Sequence, residues 1–530
     1  MRDFFRPGRS ELVSRAAAIA TSHPLSTAAG LEILAAGGNA ADAAIAAVAV
    51  QCVVDPLMTG IGGDCFALYA PANGAVVALN GSGRAPAGAT VARLAGLGLD
   101  REIPRTSPHA VTVPGAIAAW VKLHQRFATL PLDRLFARAI GYAEVGFALT
   151  PRVAWDWARN ARILANDEAA TALFLPKGQA PLAGDVFAQP KLGQRLREIA
   201  QHGASAFYLG PTANSLVKRL NALGGLHTAD DFANAVDGAE FVAPIGVDYR
   251  GHRVLECPPN GQGVAALLIL KILEGFDLSE EVSLADRIHL HAEATKLAYH
   301  HRDVLIGDPS ATTPDTVETL LSEPTVAALR RRIDPTRAMP PALWDEPEHK
   351  DTVYLCVVDR DGNAVSFINS IFHPFGSTRV DPETGILLHS RGASFRLIEG
   401  HPNAIGPRKR PMHTIIPGML QKHGRTVMPF GVMGGHYQAA GHAALISGIL
   451  DRNLDIQTAI DTPRSFAFDG LLEYEPTLNP ETLADLARRG HALAKAAAPI
   501  GGAQAIRIDL QAGILHAGSD SRKDGCALGF

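Results

Sequence analysis

The chain contains 530 residues, of which 47% are hydrophobic and 19% are charged. This composition is typical of a soluble globular protein with enough apolar side chains for a large core, and it excludes disordered and fibrous classes. The formal net charge is −4, and 49 basic residues are spread among 53 acidic ones. No basic stripe indicates a nucleic acid or an anionic membrane as a partner, so we expect a small molecule instead.

Two features bear on the compartment. Residues 1–9 are charged and lack the apolar core of a signal peptide, and no run of about 18 apolar residues indicates a membrane span. The cysteines are few and scattered, as in proteins with reduced thiols: Cys52, Cys65, Cys257, Cys356 and Cys526. We therefore expect a cytoplasmic protein, and the lack of a long linker favours one large interwoven domain.

The first predicted elements are two helices and a strand. Ser26 is predicted to cap a helix over residues 27–36, and Asn39 a second, Ala-rich helix that ends near Val54. Because the second helix is apolar on nearly all sides, we expect it to be buried between other layers. A glycine-rich loop over residues 59–64 then leads into a strand over residues 65–70. A phosphate-binding loop is disfavoured there, because that use requires a helix after the loop.

Residues 110–345 are predicted to be mainly helical, and strands follow from Thr352. The clearest helices are Gly115 to Phe127, Leu132 to Val145, Pro190 to His202 and Val264 to Leu273. Two β-rich runs, residues 352–358 and 364–371, flank a turn over residues 359–363. Helices outside and sheets inside would form a layered α/β sandwich.

The predicted hairpin has a definite register. If residues 359–363 form the loop, Val358 lies opposite Ala364 and Ser370 lies opposite Thr352. Cross-strand Cβ atoms are about 4.5–5.5 Å apart, so the Ser370 hydroxyl would reach Thr352. A bulge near Gly362 would instead turn Ser370 to the other face.

Thr352 is the candidate nucleophile. If the bond between Asp351 and Thr352 is cut, Thr352 carries a free α-amine with an unperturbed pKa of about 8. That amine can accept the proton of the threonine hydroxyl, as in a self-activating amidohydrolase. The alternative is an ordinary strand threonine, because Thr is common in strands.

Five motifs occur in a fixed order along the chain: Gly37-Gly38-Asn39-Ala40-Ala41-Asp42-Ala43-Ala44, Gly60-Ile61-Gly62-Gly63, Asp351-Thr352 through Val365, Gly406-Pro407-Arg408-Lys409-Arg410-Pro411 and Met433-Gly434-Gly435. Together they closely resemble the γ-glutamyltranspeptidase family. The segment from Asp351 to Val365 is similar to that family's activation site. The resemblance extends from about residue 20 to the C-terminus.

The resemblance implies an N-terminal nucleophile hydrolase with an α/β fold, a four-layer αββα sandwich. The precursor would cut itself before Thr352, and the large subunit 1–351 and small subunit 352–530 would stay associated. Thr352 would attack Asp351 in processing and a substrate amide in turnover, with Ser370 assisting. Backbone N–H groups of Gly434 and Gly435 would stabilise the oxyanion. Neither a cofactor nor a metal is implied.

The substrate-binding positions depart from the family pattern. Six positions are candidates for substrate contact: Arg84, Phe372, Arg391, Ser394, His413 and Thr414. Ser82, two residues before Arg84, stands where the family has an arginine. Phe372 replaces an Asn and Ser394 replaces an acidic residue. His413 and Thr414 replace a pair of serines. Arg391 stands where the family usually has an uncharged or acidic side chain. A guanidinium prefers a carboxylate, so a substrate amine would lack an acidic partner at this position.

We therefore expect a small amide that bears a carboxylate, with Arg391 as its anchor and water or an amine as acceptor. The sequence around residues 366–373 and 391–395 looks most like that of family members acting as oxamate amidohydrolases. A structural salt bridge is the alternative role for Arg391. A true γ-glutamyltransferase or glutathione hydrolase, and a catalytically silent binding member, are the alternative functions.

A group of histidines and acids and a single cysteine are two further candidates for chemistry. A metal site is disfavoured, because the spacing of the candidate ligands matches no zinc signature. These candidates are His289, His291, His300, His301, Glu293 and Asp303. Cys356 lies four residues after Thr352 on the same strand face, and buried packing is the favoured interpretation.

Overall fold

The structure is a computed structural model that describes residues 8–340 and 352–530. Its strands are β1 Leu12–Ser14, β2 Ala18–Thr21, β3 Asp64–Ala70, β4 Val77–Gly81, β5 Phe147–Ala148, β6 Val186–Phe187, β7 Glu240–Val242, β8 Ile245–Tyr249, β9 His252–Glu256, β10 Val353–Val358, β11 Ala364–Ser370, β12 Gly418–Lys422, β13 Arg425–Met433, β14 Ser465–Phe468, β15 Leu471–Tyr474, β16 Leu493–Lys495, β17 Gly502–Asp509, β18 Ile514–Ser519 and β19 Cys526–Gly529. Its helices are α1 Pro24–Ala35, α2 Ala40–Val54, α3 Val91–Gly96, α4 Ala116–Phe127, α5 Leu132–Val145, α6 Pro151–Asn160, α7 Glu168–Phe174, α8 Pro190–His202, α9 Ser205–Tyr208, α10 Gly210–Ala222, α11 Ala229–Ala233, α12 Gly263–Leu273, α13 Leu284–Leu305, α14 Pro314–Leu321, α15 Glu323–Arg330, α16 Tyr437–Leu450, α17 Ile456–Asp461 and α18 Pro480–Arg488.

Two seven-stranded sheets form the centre of the molecule. The first, here the β10 sheet, has the order β19-β2-β10-β11-β3-β4-β7. The second, here the β13 sheet, has the order β1-β18-β17-β13-β12-β9-β8. Small additional sheets pair β14 with β15 and β16, and β5 with β6.

The core divides the molecule into four layers. One apolar cluster lies between the two sheets and includes Phe66 of the β10 sheet and Met419 of the β13 sheet. A second cluster packs α2, α4 and α5 on the outer face of the β10 sheet. A third packs α12, α13 and α16 on the outer face of the β13 sheet. The predicted αββα sandwich is therefore confirmed.

The predicted helices are confirmed where capping residues and apolar periodicity mark them in the local sequence. All fifteen residues of α2 are buried, and Asn39 caps the helix in a reciprocal capping box with Asp42. Helices α5 and α8 have the predicted bounds. The prediction that Ser26 caps α1 is wrong. The helix begins at Pro24 with His23 as its N-cap, because Pro favours the first helical turn. The Ser26 hydroxyl instead donates to Ala47 O at 2.8 Å and ties α1 to α2.

The hairpin register is confirmed. Val358 pairs with Ala364 and Val353 pairs with Asn369, with no bulge between them. The Asp359 carboxylate closes the loop by accepting from Asp361 N at 3.0 Å and from Asn363 N at 2.9 Å. This register places Thr352 and Ser370 at the open end of the hairpin.

Two further observations concern the length of the apolar helices and the state of the thiols. Within residues 8–340 and 352–530, no helix is both long and apolar enough to cross a membrane. All five cysteines are free thiols.

Candidate active site

The side chains of Ser370 and Gln438 contact the Thr352 hydroxyl. Thr352 is buried, with 1% of its surface exposed. Its hydroxyl donates to Ser370 Oγ at 3.2 Å and accepts from Gln438 Nε2 at 3.3 Å. Asp351 lies outside the described residues. The structure thus brings Thr352 and Ser370 together as the register predicted, and adds Gln438, which the sequence analysis missed.

The glycine-rich loop supports Ser370 by close packing. A Cβ atom on Gly63 would lie 2.3 Å from Ser370 O, which leaves no space for a side chain. Gly63 O also accepts from Gly115 N at 3.1 Å and Ala116 N at 3.0 Å, at the start of α4. Glycine is required here because two backbone segments approach this closely.

Gly434 and Gly435 form the link between β13 and α16. Their φ angles are 123° and 59°, a region that favours glycine. Gly435 O accepts from Gln262 Nε2 at 3.1 Å, and neither glycine N–H donates to a backbone acceptor among the described residues outside the strand ladders. Gln438 follows in the first turn of α16 and reaches Thr352. The role of this pair as oxyanion donors stays a prediction.

Arg391 is a buried cation beside Ser370. Its Nη1 donates to Thr414 Oγ1 at 3.0 Å and its Nη2 to Ser370 Oγ at 3.4 Å. Its Nε has no partner, and none of the described residues places a carboxylate within 4.0 Å of it. Burial lowers the pKa of Arg391 to about 9, so the guanidinium is charged at neutral pH.

Phe372 shapes this cation's environment. The Arg391 guanidinium carbon lies 3.9 Å from the Phe372 ring centroid, a cation–π contact. Phe372 N donates to Ser370 Oγ at 2.9 Å. Its φ angle of 80° is unusual for a side chain of this size, and such strain is common at functional sites.

Asp64 forms a buried cluster with two histidines. Its Oδ2 lies 3.0 Å from His413 Nε2 and 3.5 Å from His389 Nδ1. Its Oδ1 accepts from Gly83 N at 2.9 Å and Gly115 N at 3.0 Å. Burial alone would raise the pKa of Asp64, but these imidazoles and Arg391 outweigh it and lower that pKa to about 2. Asp64 and His389 were not among the predicted site residues, although Asp64 directly follows the glycine motif.

Two of the predicted substrate-binding residues, Arg84 and Ser394, have other partners in the structure. Arg84 is partly exposed and pairs with Glu240 at 3.0 Å, so the structure does not bring it into the group around Thr352. The Ser394 hydroxyl donates to Arg391 O at 2.9 Å and Met412 O at 2.8 Å. Ser394 therefore holds the backbone of Arg391.

The histidines weighed as metal ligands do not converge as a set. His289 and Glu293 lie with His491, their ligand atoms within 4.8 Å of one another. His289 hydrogen-bonds His491 Nε2 and Asp334 O, each at 2.8 Å, and Glu293 pairs with Lys296 at 2.6 Å. The side chains of His289 and Glu293 therefore already have hydrogen-bond or ion-pair partners within the protein.

Cys356 is buried, as expected. Burial raises the pKa of its thiol far above the ordinary value, which keeps the sulfur protonated and unreactive.

Comparison with known proteins agrees with this architecture. The family model described as Gamma-glutamyltranspeptidase matches residues 26–530. The glutathione hydrolase-like YwrD proenzyme of Bacillus subtilis is 36% identical over 97% of this chain and 98% of that protein. The oxamate amidohydrolase proenzyme of Klebsiella pneumoniae is 35% identical over 96% of this chain and 97% of that protein. The crystal structure of cephalosporin acylase from Bacillus halodurans superposes with a TM-score of 0.93 at 38% identity, covering 100% of this chain and 98% of that one. The chain is therefore an enzyme of the γ-glutamyltranspeptidase family of N-terminal nucleophile hydrolases.

Proposed function

We propose that this protein is a self-processing amidohydrolase in which Thr352 forms the acyl-enzyme. In processing, the Thr352 hydroxyl attacks the Asp351 carbonyl and the peptide C–N bond breaks, which leaves an ester. The same bond breakage frees the Thr352 α-amine, and water then hydrolyses the ester, which restores the Thr352 hydroxyl and gives fragments 1–351 and 352–530. That amine serves as the base in turnover, where the same hydroxyl attacks a substrate amide, the amide C–N bond breaks and the nitrogen leaves as ammonia or an amine. Water or an amine then takes the acyl group.

The observation that carries the substrate class is the buried guanidinium of Arg391. A buried charge is costly unless an opposite charge or several hydrogen bonds compensate it. Arg391 has two hydroxyl partners and no carboxylate among the described residues within 4.0 Å. A substrate carboxylate would supply the missing charge in bidentate geometry.

The position of Arg391 favours a short substrate. Ser370 Oγ lies 3.4 Å from Arg391 Nη2 and 3.2 Å from Thr352 Oγ1, so one hydroxyl separates the cation from the nucleophile. A carboxylate directly bonded to the scissile carbonyl, as in oxamate, fits that spacing. The relative named oxamate amidohydrolase proenzyme supports the same class.

γ-Glutamyl transfer is the second candidate, since one relative is named glutathione hydrolase-like. A glutamyl substrate also carries an ammonium group, which needs an acidic partner. Asp64 already accepts from Gly83 N and Gly115 N and lies against two imidazoles. It therefore has little capacity left for a substrate ammonium, and the short acid amide is favoured.

The first test is self-cleavage. The purified protein should migrate as two fragments that meet at the 351/352 bond by intact mass, because Thr352 supplies the attacking hydroxyl. Thr352→Ala should remain one chain, and Thr352→Ser, which keeps a hydroxyl, should still be cut. A wild-type chain that stays whole would instead indicate a silent binding member of the family.

The second test addresses Arg391. Replacing Arg391 by Met keeps most of the stem over Phe372 but removes the charge. A hydrogen bond to a charged group contributes about 1.5–3 kcal/mol, so KM for oxamate should rise roughly ten- to hundredfold, measured by ammonia release. Arg391→Lys should lie between the two, because it lacks the planar fork.

Arg84→Met is the matched control, since it removes a partly exposed arginine that pairs with Glu240. It should leave KM unchanged. An unchanged KM in Arg391→Met, with normal self-cleavage, would contradict the carboxylate anchor. Faster turnover of a γ-glutamyl anilide than of oxamate would favour the second candidate.

A further inference from the structure

A pocket lies next to α16, and its lining includes Val432 of β13 and Ala503 of β17. It has a volume of about 100 Å³ and is lined by α13, α16, β14 and the segment after α16. One bound water needs only about 10–15 Å³, so the space suffices for a small organic molecule. Most of its wall is apolar and includes Ile288, Ala440, Ala444 and Phe466.

The charged side chains of the wall are all basic. Arg287, His291, Arg452 and Arg464 line the pocket, and none of the described lining residues is acidic. Arg464 is already neutralised, because it pairs with Asp520 at 2.5 Å. The other three groups decide what the pocket can bind.

Arg452 and His291 lack partners. Arg452 forms no ion pair or side-chain hydrogen bond with a described residue, and its Nε is buried without an acceptor. The His291 ring likewise makes no hydrogen bond within the described residues. Burial lowers the pKa of His291 to about 4, so its neutral ring can still donate one N–H.

Arg287 adds a second guanidinium. Its Nη1 donates to the backbone carbonyls of Ser279, at 2.9 Å, and Val282, and it forms no ion pair among the described residues. Burial and the nearby Arg452 lower the pKa of Arg287, against the opposing effect of the Glu280 and Asp286 carboxylates. Of the neighbouring acids, Asp286 pairs with Arg489 at 2.7 Å, and Asp451 is held by Arg250 at 2.7 Å and Tyr249 at 2.5 Å.

We propose that this pocket binds a small amphipathic monocarboxylate. The carboxylate would contact Arg287 and Arg452, with the His291 ring as a further donor, and the hydrocarbon part would lie against Ala440 and Ala444 of α16. Two guanidinium groups offer several N–H donors to one anion, and an apolar wall favours a hydrocarbon over a second charge. Thr352 is not among the residues that line this pocket, and the proposal does not rest on the proposed reaction at Thr352.

Calorimetric titration of the purified protein with hexanoate tests the proposal. Hexanoate should bind, whereas hexan-1-ol and inorganic phosphate should bind at least about tenfold more weakly. Hexan-1-ol lacks the carboxylate for the arginines, and phosphate lacks the hydrocarbon for the apolar wall. Arg452→Met and the pocket-filling Ala444→Leu should each weaken hexanoate binding about tenfold or more. Arg452→Lys should keep part of the affinity.

Two controls separate this pocket from other sites. Arg488→Met removes an exposed arginine on α18 and should leave hexanoate binding unchanged, and thermal melting confirms that each variant is folded. Arg391→Met should also retain hexanoate binding. Loss of binding in Arg391→Met with retention in Arg452→Met would place hexanoate at the catalytic site and overturn the proposal. Absence of hexanoate binding, or equal binding of hexan-1-ol, would also overturn it.

Discussion

Asp64 shows how one buried residue organises the candidate site. It lies opposite Ser370 in the β3–β11 ladder and contacts two histidines that neither strand carries. It also raises the pKa of Arg391 against the effect of burial. The negative charge of Asp64 therefore helps Arg391 to remain a cation, while its oxygens are occupied by Gly83 N, Gly115 N and His413 Nε2.

Replacing Asp64 by Asn should change how stability depends on pH. The pKa of Asp64 is lowered from 3.8 to about 2 in the folded chain. A lowered pKa stabilises the fold above the ordinary value, and this contribution is lost as pH falls from about 4 toward 2, up to about 2 kcal/mol. The free energy of unfolding should therefore fall more steeply with acid in the parent than in Asp64→Asn.

Urea unfolding between pH 7 and pH 3 measures this difference, with both proteins in the uncut Thr352→Ala background so that one chain unfolds. Asp315→Asn, which removes an exposed acid on α14, serves as the control. Parallel pH profiles for the parent and Asp64→Asn would show that Asp64 carries no such contribution.

Among the elements, the hairpin and the helices show what sequence can predict. The register of β10 and β11 follows from a short loop and a period of two, so the contact between Thr352 and Ser370 was predictable. Helix α2 was predictable because its cap and its apolar surface are local features.

Helix α16 shows where sequence reasoning stops. Its first turn brings Gln438 to Thr352, and its second turn brings His442 within 2.6 Å of Glu256 in β9. These partners are 86 and 186 positions apart in the chain. Neither contact leaves a local pattern, since each depends on how the two sheets and the outer helices stack. The same reason explains why Asp64 and His389 were missed and why the surface position of Arg84 was not foreseen.

At the scale of the whole molecule, both sheets mix strands from either side of the proposed cleavage site. In the β10 sheet, β2 lies between β19 and β10, and β3 pairs with β11. In the β13 sheet, β9 pairs with β12, and β1 pairs with β18. Separating fragments 1–351 and 352–530 would therefore break ladders in both sheets and expose the apolar layer between them.

We therefore expect the two fragments to remain together after cleavage. Breaking one peptide bond removes none of the strand pairing, and an interface made of two sheet interiors resembles a domain core cut in half. Size-exclusion chromatography with light scattering should give one peak that contains both fragments, with a mass of 56.0 kDa or a multiple of it. The fragments should separate only in denaturant. Elution of fragment 352–530 alone in native buffer would contradict the interwoven arrangement, because three of the seven β10-sheet strands would then have left their neighbours.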